Sequence, residues 1–266
     1  MNGSIRDQSV NKTPIVISLS SFGATEVIRH GQAWFINVAR NAGADGVEIR
    51  SELLSRPDDE LPLIAQQCQG LQIVYSCADP LFFMPGELNE AALGLAMRRA
   101  EAIGAAVVKF SIGGGAKATS EQLLKLANSL HAKALPVLIE NDQSNAAGSI
   151  SQLKRFFHKA SDCGLNLGMT FDIGNWHWAG ECPQVAAAQF ADRIRYVHTK
   201  GVFKQANRWI AVPLADSQAP WKSILDAMPV ECPWALEFPL VGEDLVGVAR
   251  TEICRLKEMS GERNGD

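Results

Sequence analysis

The stretch PVLIEND, residues 136–142, begins with a short apolar run, and a glutamate, Glu140, follows directly after that run. Three similar runs follow it, each with a residue type that binds divalent cations: GMTFDIGN (168–175) with Asp172, RYVHTKG (195–201) with His198, and PWALEFP (233–239) with Glu237. A buried carboxylate or imidazole is costly unless it is paired or bound to a metal. One such residue carries little information, but four in series predict a functional site.

The composition is that of a globular protein. Of the 266 residues, 47% are hydrophobic and 20% are charged, which suffices for one large core. The net charge of −4 argues against a nucleic-acid partner, because phosphate binding usually requires a clustered basic surface. No apolar stretch approaches the roughly 18 residues of a membrane-spanning helix, so no membrane partner is expected.

The termini and the cysteines bear on domain organisation and location. We expect loose tails at residues 1–13 and 260–266, and one domain over residues 14–259, because no Pro- or Ser-rich linker divides that range. The six cysteines include no CxxC pair, and the amino-terminal residues lack the apolar segment of a secretory signal. Both observations favour reduced thiols and a cytoplasmic location.

Strand-like and helix-like segments alternate along the chain. The strand-like runs begin near Ile15, Gly46, Leu71, Ala105, Pro136, Leu167, Arg193 and Pro233. Helix-period segments lie between them, and three glycines stand where helix caps are expected: Gly43, Gly104 and Gly164. The strands are continuously apolar, which is typical of a parallel sheet covered by helices. Eight strands and eight helices predict an α/β fold, a single-domain (β/α)8 TIM barrel.

An open doubly wound sheet is the alternative to a barrel. No GxGxxG motif follows any of the predicted strands, which argues against a dinucleotide-binding sheet. The glycine-rich segment SIGGGAKATS at residues 111–120 lacks the lysine and the spacing of a phosphate-binding loop. We interpret it as a flexible βα loop that could contact a substrate.

The barrel brings the four strand ends together. Active sites of such barrels form at the carboxyl ends of the strands, and the predicted ligands end strands five to eight, which are neighbours in the ring. Three carboxylates at one point repel one another, and a divalent cation relieves that repulsion. Three carboxylates with one imidazole suit one divalent cation, Mn²⁺, Mg²⁺, Co²⁺ or Zn²⁺. The predicted metal ligands are Glu140, Asp172, His198 and Glu237.

These residues resemble the xylose-isomerase-like barrel superfamily, which includes sugar isomerases, ketose 3-epimerases, inosose dehydratases and endonuclease IV. The resemblance covers nearly the whole chain, from IVISLSSFG at residues 15–23 to WALEFPL at residues 234–240. In the ketose 3-epimerases, one metal ion is held by Glu, Asp, His and Glu at the ends of the last four strands. The four residue types match in the same order here.

Two further segments resemble narrower patterns of this superfamily. VPLADSQAPWKSILDAM at residues 212–228 is similar to its Pro-Leu-Gly-x-Gly-x-x-x-Trp stretch, although both glycines are replaced here. ISLSSFGATEVIRHGQAWF at residues 17–35 is similar to the epimerases associated with bacterial 2-ketogluconate use. This resemblance implies a sugar acid as one class of substrate.

The chain departs from the superfamily pattern at two places. Many members have Asp-x-x-His after strand six, whereas this chain has Asn175, and its nearest imidazole is His177. Endonuclease IV also needs histidines after strands three and four and an Asp-x-His after strand seven. This chain has Ser76, Lys109 and Lys200 in those regions. A three-zinc phosphodiesterase site is therefore excluded, and a single metal ion fits.

The sequence predicts a metal-dependent isomerase or epimerase of a small keto sugar or sugar acid. The reaction would pass through an enediolate, with Glu140 and Glu237 on opposite flanks of the ion as the catalytic residues that remove and return the proton. A dehydratase that uses the same enolate, and a barrel that binds a sugar without turning it over, are the alternatives. The sequence leaves open whether the chain forms a homo-oligomer.

The predicted substrate-binding residues are Glu48, Lys109, Asn175, His177, Lys200 and Arg208. Two of them have an equally good structural interpretation, because Glu48 could pair with Arg50 and Lys109 could bridge to Glu140. Five basic residues fall at or just beyond strand ends: Arg50, Lys109, Lys200, Lys204 and Arg208. They predict a substrate with a carboxylate or phosphate group, unless they pair with surface acids instead.

Overall fold

Eight parallel strands close into a barrel in the computed structural model, which describes residues 13–131, 133–229 and 232–263. The barrel strands are β1 (Ile15–Ser18), β2 (Gly46–Arg50), β3 (Gln72–Ser76), β4 (Val107–Ser111), β5 (Val137–Glu140), β6 (Gly168–Asp172), β7 (Ile194–Thr199) and β8 (Trp234–Leu236). Each strand pairs with the next one, and β8 closes the ring on β1. The prediction of a (β/α)8 barrel is confirmed, and each strand begins within two residues of its predicted position.

Nine α-helices surround the barrel in the described residues. They are α1 (Ala24–His30), α2 (Gln32–Ala42), α3 (Pro57–Gln67), α4 (Glu90–Ile103), α5 (Ser120–His131), α6 (Ile150–Asp162), α7 (Pro183–Phe190), α8 (Trp221–Asp226) and α9 (Leu245–Arg263). The predicted segments correspond to α2 through α9. Helix α1 was not predicted, because Val27 is its one buried residue and it therefore has no apolar periodicity.

Two antiparallel hairpins in the βα loops were also not predicted. Phe82–Phe83 pairs with Glu87–Leu88 after β3, and Gly201–Gln205 pairs with Arg208–Val212 after β7. The glycine-rich segment after β4 packs against the first hairpin, and a side chain at Gly113 or Gly114 would overlap its main chain. The segment is therefore closely packed, which differs from the flexible loop that the sequence indicated. Glycine is needed there for close approach of two backbones.

The inside of the barrel changes from apolar to charged along its axis. Five inward-facing side chains form a small apolar cluster, separate from the main core: Val16, Val74, Leu138, Tyr196 and Ala235. Side chains two positions apart on a strand point to the same face. The residues two positions further along these five segments are all polar: Ser18, Ser76, Glu140, His198 and Glu237. The apolar cluster is therefore the floor on which the charged groups of the barrel mouth rest.

The main core lies between the barrel and the helices. Phe156 on α6 is fully buried there, with its ring 5.7 Å from the rings of both Phe82 and Phe157. Helix α9 extends into residues 260–263, which the sequence assigned to a tail, because Ser260 is buried and donates a hydrogen bond to the carbonyl of Lys257. The predicted tail residues 1–12 and 264–266 lie outside the described residues.

Two further observations concern the cysteines and the helices. The structure records no disulfide bond between the six cysteines, all of which lie in the described residues. Among the described helices, none combines the length and the apolar character that a membrane span requires. The cytoplasmic location stays a prediction.

Removing the Phe156 ring should destabilise the barrel strongly. We expect Phe156→Ala to lower the free energy of unfolding by about 3–5 kcal/mol, because it opens a cavity between α6 and the first hairpin. Phe203→Ala is the matched control, since Phe203 is 39% exposed on the second hairpin, and its effect should stay below roughly 1 kcal/mol. Urea unfolding followed by circular dichroism measures both; equal losses would contradict the packing described for Phe156.

Candidate metal centre and active site

The four predicted metal ligands meet at the carboxyl end of the barrel. Glu140 ends β5, Asp172 ends β6, His198 lies on β7 and Glu237 directly follows β8. Each of these side chains offers one ligand atom, and the four atoms lie within 4.8 Å of one another. The structure thus brings together residues that are up to 97 positions apart in the sequence (237 − 140).

His198 is oriented by a buried carboxylate. Its Nε2 lies 2.8 Å from Oε2 of Glu48 and donates to it, since a carboxylate can only accept. Its Nδ1 therefore faces the other carboxylates, at 2.8 Å from Oε2 of Glu237, 3.0 Å from Oε1 of Glu140 and 3.7 Å from Oδ2 of Asp172. A histidine held through its second nitrogen by a carboxylate is the usual arrangement of a metal ligand.

Glu48 lies beneath the cluster and has no exposed surface. Its Oε1 accepts hydrogen bonds from Ser18 Oγ at 3.2 Å and from Arg50 at 2.9 Å, and Lys109 Nζ lies 3.4 Å away. Of the two interpretations that the sequence left open, this geometry favours the structural one, in which Glu48 pairs with Arg50. The additional contact with His198 was not foreseen.

Asp172 is fixed by main-chain donors. Its Oδ1 accepts hydrogen bonds from the N–H groups of Gly174 and Asn175 at 2.8 and 2.9 Å. The amide of Asn141 pairs with both the N–H and the carbonyl of Asp172, each at 2.9 Å. These contacts use one carboxylate oxygen and leave Oδ2 directed toward the cluster.

Three cationic side chains of the chain itself contact the cluster. Lys109 Nζ lies 2.6 Å from Oε2 of Glu140. Lys200 Nζ lies 2.7 Å from both Oδ2 of Asp172 and Oε2 of Glu237. Arg50 reaches Oε1 of Glu237 at 2.8 Å. Buried charges are stable only when they are paired, so these cations explain how so many carboxylates can lie together.

The same pairing sets the ionisation of the cluster. Burial alone raises the pKa of Glu140, but Lys109 and His198 lower the pKa to about 2. Burial alone lowers the pKa of His198, but the carboxylates of Glu237, Glu48 and Glu140 outweigh it and hold the pKa well above its ordinary value. Burial alone would also lower the pKa of Lys200, but the carboxylates of Asp172 and Glu237 outweigh it and raise that pKa. Charged groups of both signs therefore neutralise one another in this cluster.

A cavity of about 440 Å³ opens above the cluster. Its lining includes Arg50, Glu140, Lys200 and Glu237 from the charged groups, and Asp142, Gln143, Ser144 and Asn175 from the loops after β5 and β6. Asn175 and Lys200 were predicted as substrate-binding residues, and both line it. The sequence placed Arg50 among the basic residues at strand ends, but it did not identify the polar loop 142–144, although the run NDQS directly after the end of β5 was a usable signal.

The other predicted substrate-binding residues lie elsewhere. Lys109 is fully buried beneath Glu140, a position that favours the bridging interpretation over contact with a substrate. The His177 ring packs 5.0 Å from the ring of Trp209 on the second hairpin. Arg208 is exposed at the end of that hairpin opposite Gln205. Among the described residues, His177 and Arg208 do not line the cavity.

A larger cavity of about 650 Å³ lies at the opposite, amino end of the barrel. Much of its lining in the described residues is apolar, with Val74, Leu138 and Leu167 among them. Reactive groups of such barrels come from the carboxyl ends of the strands, where several loops can converge on one point. The smaller, charged cavity is therefore the candidate active site.

The comparisons with known proteins agree with this geometry. Residues 36–240, more than half of the chain, match the family described as xylose isomerase-like TIM barrel. The chain belongs to the xylose isomerase-like TIM barrel family. The matched range contains all four candidate ligands of the metal centre. A search among curated proteins gave no significant match.

Solved structures share the fold of this family member at low sequence identity. A D-psicose 3-epimerase with D-tagatose from Clostridium cellulolyticum H10 has a TM-score of 0.70 and 11% identity, covering 92% of this chain and 99% of that one. A xylose isomerase domain containing protein from Salmonella typhimurium LT2 has a TM-score of 0.68 and 16% identity, covering 91% of this chain and 95% of that one. A probable 3-DHS dehydratase from Bacillus anthracis has a TM-score of 0.65 and 15% identity, covering 91% of this chain and 98% of that one. At these identities the likeness establishes the fold alone.

Glu48 should control metal affinity through His198. We expect Glu48→Gln to weaken Mn²⁺ binding roughly 10–100-fold, because a neutral amide orients His198 less firmly and makes it a poorer ligand. Glu52→Gln is the matched control, since Glu52 also pairs with Arg50 but lies at the surface. Titration calorimetry measures both affinities. Equal affinity in the Glu48 variant and the wild type would show that the contact does not support the centre.

Proposed function

We propose that this protein is a divalent-cation-dependent isomerase or epimerase of a small keto sugar or sugar acid. The observation that carries the proposal is the convergence of Glu140, Asp172, His198 and Glu237 at the barrel mouth, with their ligand atoms within 4.8 Å. His198 lies on β7, and the two glutamates reach its Nδ1 from β5 on one side and from beyond β8 on the other. This arrangement offers two carboxylates at separate positions around one centre.

The donor set fits one divalent cation. Three carboxylates and a neutral imidazole nitrogen are hard to borderline ligands that suit Mn²⁺, Mg²⁺, Co²⁺ or Zn²⁺. Oδ1 of Asp172 and Nε2 of His198 are already engaged, so each of these side chains presents one remaining atom to the centre. A cation bound there would supply a Lewis acid that polarises the carbonyl of the substrate.

The side chains themselves would move the proton. We assign Glu140 and Glu237 as the two bases, because both line the cavity and both are carboxylates at neutral pH. One would remove the proton next to the substrate carbonyl, and the other would return it. Two bases that reach the carbon from different sides allow inversion of its configuration, which is the requirement of an epimerase.

The polar loop after β5 is suited to hydroxyl recognition. Gln143 donates a hydrogen bond to Oδ1 of Asn175 at 3.2 Å, and Ser144 is held by Asp142, so these side chains form an ordered wall of the cavity. The cavity volume of about 440 Å³ suits one small ligand, such as a monosaccharide. We assign recognition of the substrate hydroxyl groups to Gln143, Ser144 and Asn175.

The anionic substrate suggested by the sequence has less support from this geometry. Three of the five basic residues are paired with carboxylates of the cluster, namely Arg50, Lys109 and Lys200. Lys204 and Arg208 lie on the second hairpin and are not among the described residues that line the cavity. A sugar acid of the ketogluconate type therefore remains one candidate beside neutral keto sugars.

Loss of a ligand should remove metal from the protein. Glu140→Gln, Asp172→Asn and His198→Ala should each lower the metal content, because each removes a ligand atom from the centre. Asp142→Asn is the matched control, since its oxygens accept hydrogen bonds from Ser111 and Ser144 instead. Elemental analysis of protein purified without chelators measures this content and also names the metal. Full occupancy in all three ligand variants would place the metal elsewhere.

Turnover should introduce solvent deuterium into the substrate. When candidate keto sugars are incubated with the metal-loaded enzyme in deuterated water, we expect deuterium at the epimerised carbon, because the proton on the base exchanges with solvent. Glu140→Gln and Glu237→Gln should each lower kcat by about 10²–10⁴. Nuclear magnetic resonance and mass spectrometry detect the deuterium, and the rate of product formation gives kcat. Product without deuterium would contradict an enediolate, whereas water loss with new ultraviolet absorbance would identify a dehydratase.

A further inference from the structure

Lys200 pairs with two of the four candidate metal ligands. Its Nζ lies 2.7 Å from Oδ2 of Asp172 and 2.7 Å from Oε2 of Glu237. These two oxygens are also the ones directed toward Nδ1 of His198, at 3.7 and 2.8 Å. The ammonium group therefore contacts the same ligand atoms that a divalent cation would require.

Lys109 contacts the cluster in a different way. Its Nζ binds Oε2 of Glu140, whereas the other oxygen of that carboxylate, Oε1, faces Nδ1 of His198. The Lys109 side chain is fully buried, with Glu48 as its second partner. Lys109 thus neutralises Oε2 of Glu140 and leaves Oε1 available. It can remain in place when a cation binds.

Lys200 has an alternative position that Lys109 lacks. Lys200 lines the 440 Å³ cavity, and its Nζ already lies 3.2 Å from Oδ1 of Asn175 on the cavity wall. The stem of the side chain packs closely against Gly174, where an added Cβ would lie 3.0 Å from its Cγ and Cδ. The stem is thus held beside Gly174, while the ammonium group lies between the ligand oxygens and the polar wall of the cavity.

We propose that Lys200 is an internal cation that a divalent metal ion displaces. Without the metal, Lys200 neutralises Asp172 and Glu237; when the metal binds, repulsion between two cations on the same oxygens moves the ammonium group into the cavity. There it binds a carboxylate or hydroxyl oxygen of the substrate. Metal loading thereby creates the site for the substrate. This inference rests on the proposed function, because it requires that the centre binds a metal.

The position of Lys200 can be followed by acylation of lysines in the wild-type protein. Samples with EDTA and with saturating Mn²⁺ are treated briefly with acetic anhydride, and acetylation at each lysine is quantified by peptide mass spectrometry. We expect Lys200 to react slowly without metal and several-fold faster with Mn²⁺. Lys109 should stay protected in both samples, and the exposed Lys204 should react equally in both.

Calorimetry on the same samples separates the two ways in which this experiment can fail. If none of Mn²⁺, Mg²⁺, Co²⁺ and Zn²⁺ binds, the proposed function is overturned and the inference falls with it. If Mn²⁺ binds but the reactivity of Lys200 stays unchanged or decreases, the inference alone is overturned. Binding together with increased reactivity of Lys200 supports both.

A substitution gives an independent measurement. Lys200→Met should bind Mn²⁺ several-fold more tightly than the wild type, because the competing cation is gone. The metal-free variant should have a lower Tm, because Asp172 and Glu237 each lose one cationic partner. Lys204→Met is the matched control, since it removes an equal charge on the second hairpin and should leave both values unchanged. Weaker or unchanged Mn²⁺ binding in folded Lys200→Met protein would overturn the inference.

Discussion

The buried hydrogen bond between Glu48 and His198 is the contact on which the barrel mouth depends. It joins β2 to β7 across the inside of the barrel, at a depth where neither side chain is exposed. Because Nε2 of His198 is fixed there, Nδ1 must face the carboxylates of the neighbouring strand ends. A carboxylate at this depth needs cationic partners, and Lys109 and Arg50 supply them. One contact thus accounts for the orientation of the candidate ligand and for the buried cations beside it.

An apolar layer closes the barrel beneath the charged cluster. Val16, Val74, Leu138, Tyr196 and Ala235 fill the interior below the cluster. The edge of the Tyr196 ring packs 5.2 Å from His198, so apolar and charged layers are in direct contact. This low-polarity floor strengthens each ion pair above it, and it also makes any unpaired charge there costly. The chain therefore balances its carboxylates with its own cations.

That balance relates the candidate metal centre to the cavity above it. The carboxylates that suit a divalent cation are the same groups that hold Arg50 and Lys200 at the cavity wall. The membership of the chain in the xylose isomerase-like family agrees with such a centre, while the polar loop after β5 belongs to the part of the barrel where substrate selection is expected.

The sequence alone determined the strands, eight of the helices and the four converging side chains, because periodicity and residues at strand ends are local features. It did not reveal α1 or the two hairpins, whose short segments carry too little apolar pattern. Tertiary structure alone decided the partners of Glu48, Lys109 and Lys200. The sequence left those partners open because they come from distant parts of the chain, as with Glu48 and His198, 150 positions apart. Closure of the barrel brings those partners within reach, and the need to pair buried charges then fixes where each side chain points.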